Sequence, residues 1–289
     1  MNNYSIESEP EWPLADCLDL TFVTYHPWLL APQPGIIAIV IRNNSKPIGL
    51  CLADSRPVPA ILHSVAVSRS YRKRGVAKAM LHAMEKRLAA QGCPMLRVEF
   101  TAGSFSNAMN RLLLACGWIS PTPYMCIYRT TSAKMAQIDW VRRLKRPRNI
   151  ELGFWGEVTY AELEFIRCQE GKPEGHPIWL SPFFEEDRII AETSLVARHE
   201  GKLVGWGINH ESVPGVHRFS RYWVEERFQR NGMGVVLMAE AARLVDHNRY
   251  RQVVCGVLEE NSPMVAFCNK RIRKFAIVTM AFQSTKSLI

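Results

Sequence analysis

The chain has 289 residues, 47% hydrophobic and 22% charged, with a formal net charge of +9. That balance describes a globular protein with room for two domains of ordinary size. No run approaches the ~18 apolar residues of a membrane span, and the N-terminus lacks a basic region followed by an apolar stretch, so neither a membrane partner nor a secretory signal is expected. The eight cysteines form no CxxC pair, and Cys51, Cys116, Cys126 and Cys255 lie in apolar contexts. They read as reduced core residues of a cytoplasmic protein without metal.

In chain order, the first 35 residues are broken by Pro10, Pro13, Pro27, Pro32 and Pro34. Ala38–Arg42, a turn at Asn43-Asn44-Ser45, and Lys46–Leu52 read as a hairpin. A strand-like run, Ile61 to Val67, leads into Ser68-Arg69-Ser70-Tyr71-Arg72-Lys73-Arg74-Gly75-Val76-Ala77. Val76, Met80, Met84 and Leu88 then mark one face of a helix that stops near Gln91-Gly92. Met95–Phe100 is a strand, and a second helix starts near Ser106-Asn107. The cations Arg142, Arg143, Lys145, Arg146 and Arg148 cluster before Asn149. A solvated helix end closed by Pro147 explains them better than a nucleic-acid surface, so nucleic acid is disfavoured as a partner. The first domain is expected over 1–135, a basic linker over 136–148, and a second domain over 149–289.

The second domain repeats the first. After a strand at Asn149–Trp155 and a capping-box helix at Thr159-x-x-Glu162, Leu195–Arg198 and Lys202–Ile208 form a hairpin about His199-Glu200-Gly201. Val224-Glu225-Glu226-Arg227-Phe228-Gln229-Arg230-Asn231-Gly232-Met233-Gly234 restates the loop. Met233, Leu237, Ala241 and Leu244 give the next helical face, which stops near Asp246-His247-Asn248. Gln252–Leu258 is a strand, and a helix starts near Asn261-Ser262. Gly49 precedes Gly75 by 26 residues and Gly205 precedes Gly232 by 27. Matching order and spacing indicate an internal duplication. A small-residue loop opening a helix offers free N–H groups and the positive end of the helix dipole to an anion such as a pyrophosphate.

Arg72-x-x-Gly75-x-Ala77 and Gln229-x-x-Gly232-x-Gly234 resemble the signature of the GNAT superfamily, the acyl-CoA-dependent N-acyltransferases. The resemblance covers roughly residues 36–130 and 150–282, and the tandem arrangement is similar to that of mycothiol synthase and other two-domain acetyltransferases. It implies an α/β fold of two mixed-sheet domains and acetyl-CoA as cosubstrate. The pyrophosphate is expected on Arg72, Lys73, Arg74, Gly75, Val76, Ala77 and Lys78, and on Gln229, Arg230, Asn231, Gly232, Met233, Gly234 and Val235. The pantetheine arm is expected along Val65, Ala66 and Val67 and along Tyr222, Trp223 and Val224. Asn107 and Asn261, at the starts of the following helices, are further cofactor candidates.

Acetyl transfer to an amine needs a base, an oxyanion site and an acid for the thiolate. The stretch from His63 to Gly75 resembles that of arylalkylamine N-acetyltransferases, which makes His63 the candidate base, with Ile61 at that pattern's other His position. Alternation along the strand puts His63 and Val65 on one face. Glu99, on the next strand, is the reserve base. The family's acid, a Tyr on the last helix, is replaced by Leu113 in the first copy and Cys268 in the second. Cys268 could serve as acid or as a buried core residue. Tyr124 is the other candidate acid, and Tyr222 the candidate in the second copy. The expected function is transfer of an acetyl group from acetyl-CoA to a primary amine on a small molecule, an amino acid or a protein lysine. The alternative is a non-catalytic acetyl-CoA-binding protein. The sequence leaves open which copy works and the oligomeric state.

Overall fold

The computed structural model describes residues 4–229 and 231–289. The chain divides into two compact units, residues 1–124 with 280–289 and residues 125–279. The first contains β1 (Ser5–Glu7), α1 (His26–Leu30), β2 (Ile36–Asn43), β3 (Lys46–Asp54), β4 (Ala60–Val67), α2 (Val76–Ala90), β5 (Met95–Thr101) and α3 (Ser106–Ala115). Strand β6 (Thr122–Thr131) leads into the second unit. There follow α4 (Ser132–Ala136), α5 (Asp139–Arg143), β7 (Ile150–Phe154), α6 (Tyr160–Gln169), β8 (Leu195–His199), β9 (Lys202–Val213), β10 (Val216–Val224), α7 (Glu226–Gln229), α8 (Met233–Leu244), β11 (Gln252–Leu258) and α9 (Ser262–Arg271). The last strand, β12 (Ile277–Ser287), returns to the first unit.

Both units are mixed α/β. In the first the strand order is β1-β2-β3-β4-β5-β12, and in the second it is β6-β11-β10-β9-β8-β7. Among the described pairings within each unit, one is parallel, β4 with β5 and β10 with β11. The remaining ladders are antiparallel. The expected hairpins, loop-opened helices and following strands are all present.

Local sequence explains the first core. β2 and β3 are near-continuous apolar runs because both faces of their sheet are covered. Ile37, Ile39, Ile41, Cys51 and Ala53 pack with the α2 stripe Val76, Met80, Met84 and Leu88. The alternate residues Ala38, Val40, Leu50 and Leu52 pack with Leu14, Cys17 and Leu29. Gly49 lets α2 approach β3, since a Cβ there would lie 2.9 Å from Met80 Sδ. In the second unit Val236, Leu237, Ala241 and Ala242 are the buried stripe of α8.

The units divide elsewhere than at the expected 1–135, 136–148 and 149–289. The basic stretch carries α5 and follows directly on α4, and both helices belong to the second unit, where Met135, Ile138 and Val141 are buried. Arg243 also donates to the Leu144 carbonyl at 2.6 Å. The larger departure is an exchange of strands. β6 follows the first unit's last helix yet pairs with β11, with Cys255 opposite Tyr128. β12 ends the chain yet pairs with β5, with Glu99 opposite Gln283.

A buried polar network fastens β12. Glu85 on α2 accepts from Trp118 Nε1 at 2.8 Å and from Lys286 Nζ at 2.7 Å, and His82 Nδ1 lies 3.2 Å away. Lys286 also donates to the Cys116 carbonyl. Lys286→Met should leave the Glu85 carboxylate short of a charged donor and cost about 2 kcal/mol, read as a lowered urea midpoint. Adding Glu85→Gln should recover part of that loss, which an unrelated packing effect would not.

His217 gives a second test. It is fully buried against Phe219 and Tyr250, with Nε2 2.9 Å from Thr193 Oγ1, and burial lowers its pKa to about 4. The unfolded chain protonates this residue near 6.5, so between about pH 6.5 and 4 the unfolded state binds more protons. Stability is therefore whole above about pH 6.5, declines as the pH falls toward 4, and loses about 3 kcal/mol through this group. Urea titrations from pH 7 to 4 should show a shallower decline in His217→Gln.

Candidate active site

The two parallel strands of the first unit stay together for three pairs only, Ala60↔Leu96, Ile61↔Arg97 and Leu62↔Val98. Beyond them β4 keeps a partner on one side, β3, as far as Val67. The backbone of Val65, Ala66 and Val67 thus has no strand partner on its other side among the described ladders. The first residue past the last parallel pair is His63 on β4 and Glu99 on β5.

His63 is also a β-bulge. Ala53 lies opposite Leu62 and Leu52 opposite Ser64, so His63 has no partner of its own. A bulge resets strand alternation. Val65 and Val67 consequently pack with Leu62 on the α2 side. His63 instead meets Tyr25, whose Oη lies 3.4 Å from Nδ1, and the edge of Trp28 at 5.0 Å between centroids. The expectation that His63 and Val65 share a face is therefore corrected by the extra residue. Burial lowers the His63 pKa below its ordinary 6.5. The Asp54 carboxylate opposes this, Arg56 reinforces it, and Glu99 opposes it.

Glu99 and Tyr124 are brought together directly, as the Tyr124 hydroxyl donates to Glu99 Oε2 at 2.6 Å. Arg97 Nε lies 3.3 Å from the other carboxylate oxygen. Burial, then the bond to Glu99 and its charge, push the Tyr124 phenol well above its usual range and keep its proton. Leu113, at the expected acid position, is fully buried core. Sequence reasoning missed Tyr25, Trp28 and the Asp54–Arg56 pair, which is bonded at 2.6–3.2 Å. The broken, proline-rich start of the chain carries no periodic signal that would have marked the two aromatic residues.

The loop after each splay is built the same way. Arg72 Nε donates to the Val67 carbonyl at 3.0 Å, and Gln229 Nε2 donates to the Val224 carbonyl at 2.9 Å. Each side chain staples the loop to the end of its strand. This is why either residue type fits, since both present a planar N–H donor on a flexible stem. Gly75 (φ +82°) and Gly232 (φ +73°) are the N-cap residues of α2 and α8, in left-handed conformations where other residues are strained. Neither helix start has a side-chain cap. Val76 and Met233 are buried beneath the loops, and Ala77, Gly234 and Val235 are half-buried.

The loops differ in charge and in free donors. Residues 68–78 hold five cations and no anion, with Arg72, Lys73, Arg74 and Lys78 exposed. Residues 225–235 hold two cations and two anions. Among the described residues, the N–H groups of Lys73, Arg74 and Gly75 have no intramolecular acceptor, whereas Asn231 and Gly232 donate back to the Phe228 and Gln229 carbonyls at 3.2 Å. Arg230 lies outside the described residues. The first loop is therefore the better cradle for a polyanion such as the pyrophosphate of an acyl-CoA.

The second unit repeats the splay with other side chains. β10 and β11 pair through Phe219↔Cys255 and then part, and β10 bulges at Ser220. Ser220 precedes Val224 as His63 precedes Val67, and Gly256 follows Cys255 as Glu99 follows Val98. The titratable pair of the first unit is thus Ser220 and Gly256 here. Tyr222 and Val224 pack inward while Trp223 faces Trp206. The Tyr222 hydroxyl donates to Asn209 Oδ1 at 2.9 Å, and burial holds the phenol far above its usual pKa. Cys268 is fully buried on α9, and its hydrogen bond with Cys255, together with burial, pushes its thiol up. Asn261 caps α9 by accepting from the Met264 N–H at 3.2 Å, while Asn107 is exposed on α3.

Two cavities lie elsewhere. One of about 220 Å³ is lined by Trp12, Ile37 and Gln91 among others, and one of about 410 Å³ by Leu152, Glu240 and Leu244 among others. Neither is lined by a splay residue, so the placement of chemical groups, not cavity size, identifies the site. Among the described residues, no helix is long and apolar enough to cross a membrane.

Comparison with known proteins identifies the family and the fold. Residues 3–118 and 160–272 match the family model described as the acetyltransferase (GNAT) family. No curated protein matches the chain. A solved tandem GNAT protein from the clavulanic acid biosynthesis pathway is 13% identical, with 99% of each chain covered and a TM-score of 0.70. A GCN5-related glucosamine N-acetyltransferase region of a fungal multi-domain GH3 β-N-acetylglucosaminidase gives 0.71 at 13% identity, covering 99% of this chain and 38% of that one. A GCN5-related N-acetyltransferase from Sphaerobacter thermophilus gives 0.63 at 16% identity, covering 92% and 84%. At such identities these likenesses concern the fold. With the family model matching both halves, the chain belongs to the acetyltransferase (GNAT) family and is a tandem member of it.

Proposed function

We propose that the chain is a cytoplasmic N-acetyltransferase that moves an acetyl group from acetyl-CoA to a primary amine, and that the first unit carries the reaction. The observation behind this is the pair His63 and Glu99 at the first splay, where the second unit has Ser220 and Gly256. The eight free cysteines, five of them buried, accord with a reducing compartment.

Acetyl-CoA, when bound, supplies an activated acyl carbon. Its pyrophosphate is assigned to the free N–H groups and cations of the loop Arg72–Lys78, and its peptide-like arm to the unpaired edge of Val65–Val67. His63, neutral at physiological pH because burial lowers its pKa, takes the proton of the incoming ammonium at Nε2 or through one water. Tyr124, kept protonated and held by Glu99, has the proton to return to the departing thiolate. Tyr25 and Trp28 wall the cleft beside His63, so the acceptor amine is assigned an apolar or aromatic body. A small amine, an amino acid or a protein lysine satisfies that description.

The second reading, a non-catalytic acetyl-CoA-binding protein, is supported by buried Leu113 and Cys268 at the family's acid position. It describes the second unit better than the first.

Two measurements test the assignment. Calorimetry with acetyl-CoA should show binding lost in Gly75→Asp, which adds a carboxylate in the cradle, and kept in Gly75→Asn, which tolerates the same φ without charge. Gly232→Asp should change the affinity little. Equal losses from Gly75→Asp and Gly232→Asp would reject the preference for the first loop.

His63→Gln should lower kcat/KM by about 10²- to 10⁴-fold while leaving acetyl-CoA affinity intact. A base acts when deprotonated, so the lowered pKa of His63 extends activity to the acid side. The wild-type acid limb should therefore fall below pH 6.5 and disappear in the variant. A limb that persists unchanged would show that another group is the base.

A further inference from the structure

The second unit has lost the titratable pair at its splay, yet it carries one charged group there that the fold does not require. Arg221 follows the Ser220 bulge directly, opposite Ile208. The same position in the first unit, one residue past the bulge, is Ser64, which accepts a hydrogen bond from Thr21 Oγ1 at 3.2 Å. Arg221 is half-buried, and its Nε is wholly shielded with no acceptor. Among the described residues its guanidinium makes no hydrogen bond and no ion pair.

Neighbouring groups make this arrangement costlier. The nearby guanidinium of Arg218 repels Arg221 and takes the hydrogen bonds of Glu185, so that carboxylate attracts Arg221 without bonding to it. His210 donates from Nε2 to the Phe184 carbonyl at 2.9 Å, leaving a buried Nδ1 lone pair without a donor. Arg221 lies over the Phe184 ring at 5.4 Å, which offsets part of the desolvation but supplies no anion. A shielded guanidinium N–H without an acceptor is destabilising, and the first unit avoids it with a serine.

Exposed apolar groups lie on the segments that pack against β10, and Phe184 is the one in contact with this charge. Phe184 is 44% exposed, Ile178 57% and Trp179 58%. The turn Ile178–Leu180 packs on β10 and is held by Trp206 Nε1 donating to the Leu180 carbonyl at 3.1 Å. A planar, unpaired guanidinium beside held aromatic and aliphatic surface fits one ligand chemistry.

We propose that the second unit is a binding site for a small organic carboxylate with an apolar body, the carboxylate taken by Arg221 and the body by the exposed Phe184 ring beside it. This inference stands on Arg221 and its surroundings and is independent of acyl transfer in the first unit. It gives the second unit a ligand of its own at a splay that has no base.

Thermal denaturation of the full chain tests it, with phenylacetate and 3-methylbutanoate as probes and phenylacetamide and 3-methylbutanamide as neutral isosteres. The carboxylates should raise the midpoint in a saturable way and the amides should not. Arg221→Gln should weaken carboxylate binding at least about thirtyfold while leaving acetyl-CoA affinity unchanged. If that variant fails to fold, Arg221→Lys, which keeps the charge and loses the planar fork, should weaken binding about tenfold. The proposal is overturned by any of four results: no shift with either acid, equal shifts with acids and amides, a shift with inorganic phosphate but not with the acids, or an undiminished affinity in the folded Arg221 variant. Loss of acetyl-CoA binding in Gly75→Asp leaves these outcomes untouched, so the two readings fail separately.

Discussion

The site depends on a parallel strand pair that ends early. Parallel strands fill each other's hydrogen-bonding edges, and where β4 and β5 part after Leu62↔Val98 the edge of Val65–Val67 is left open. An open edge inside a protein is costly unless a ligand or water covers it. The same separation exposes the side chains that would otherwise be locked between neighbouring strands. His63 and Glu99 stand at this fork because they are the first residues past the last pair. The bulge then turns His63 away from the α2 core and toward Tyr25 and Trp28. One backbone event thus leaves the edge of Val65–Val67 without a second strand and sets the position and direction of His63.

Duplication shows which parts of this device belong to the backbone. The staple from Arg72 or Gln229, the left-handed glycine, the uncapped helix and the bulge recur in both units. The titratable side chains at the fork do not recur. Five cations about the first loop, within about one Debye length of the helix start, attract a polyanion that the near-neutral second loop does not. At the fork the first unit has an imidazole and a carboxylate, and the second has a hydroxyl, a glycine and an unpaired guanidinium. The shared backbone fixes the shape of the fork and loop, and the side chains on them give the two units different charge and chemistry.

Legibility in the sequence follows the range of the interaction. The loops could be read because each needs glycine at one backbone position, and the helices because their apolar stripes repeat every turn. His63 could be placed at the strand end by its distance from Arg72. Its orientation could not, because a bulge adds one residue without any mark in composition. Tyr25 and Trp28 were hidden in a segment with no period. The basic stretch 136–148 looked like a linker because its charges are conspicuous, while Met135, Ile138 and Val141, which anchor it, are sparse.

The exchange of β6 and β12 was out of reach for a deeper reason. Both strands carry alternating patterns that would fit either sheet, so nothing local chooses the partner. The choice is made by distant side chains: Lys286 on β12 reaches Glu85, 201 residues earlier, and Tyr128 on β6 donates to Asn269, 141 residues later. The first bond joins a buried acceptor to one particular donor, so the wrong strand would leave Glu85 without its cation. Such contacts also carry a large loop-closure cost before they are rewarded. The strand that lies beside Glu99 follows every element of the second unit in the sequence, so the first unit's sheet closes across the longest loop in the fold.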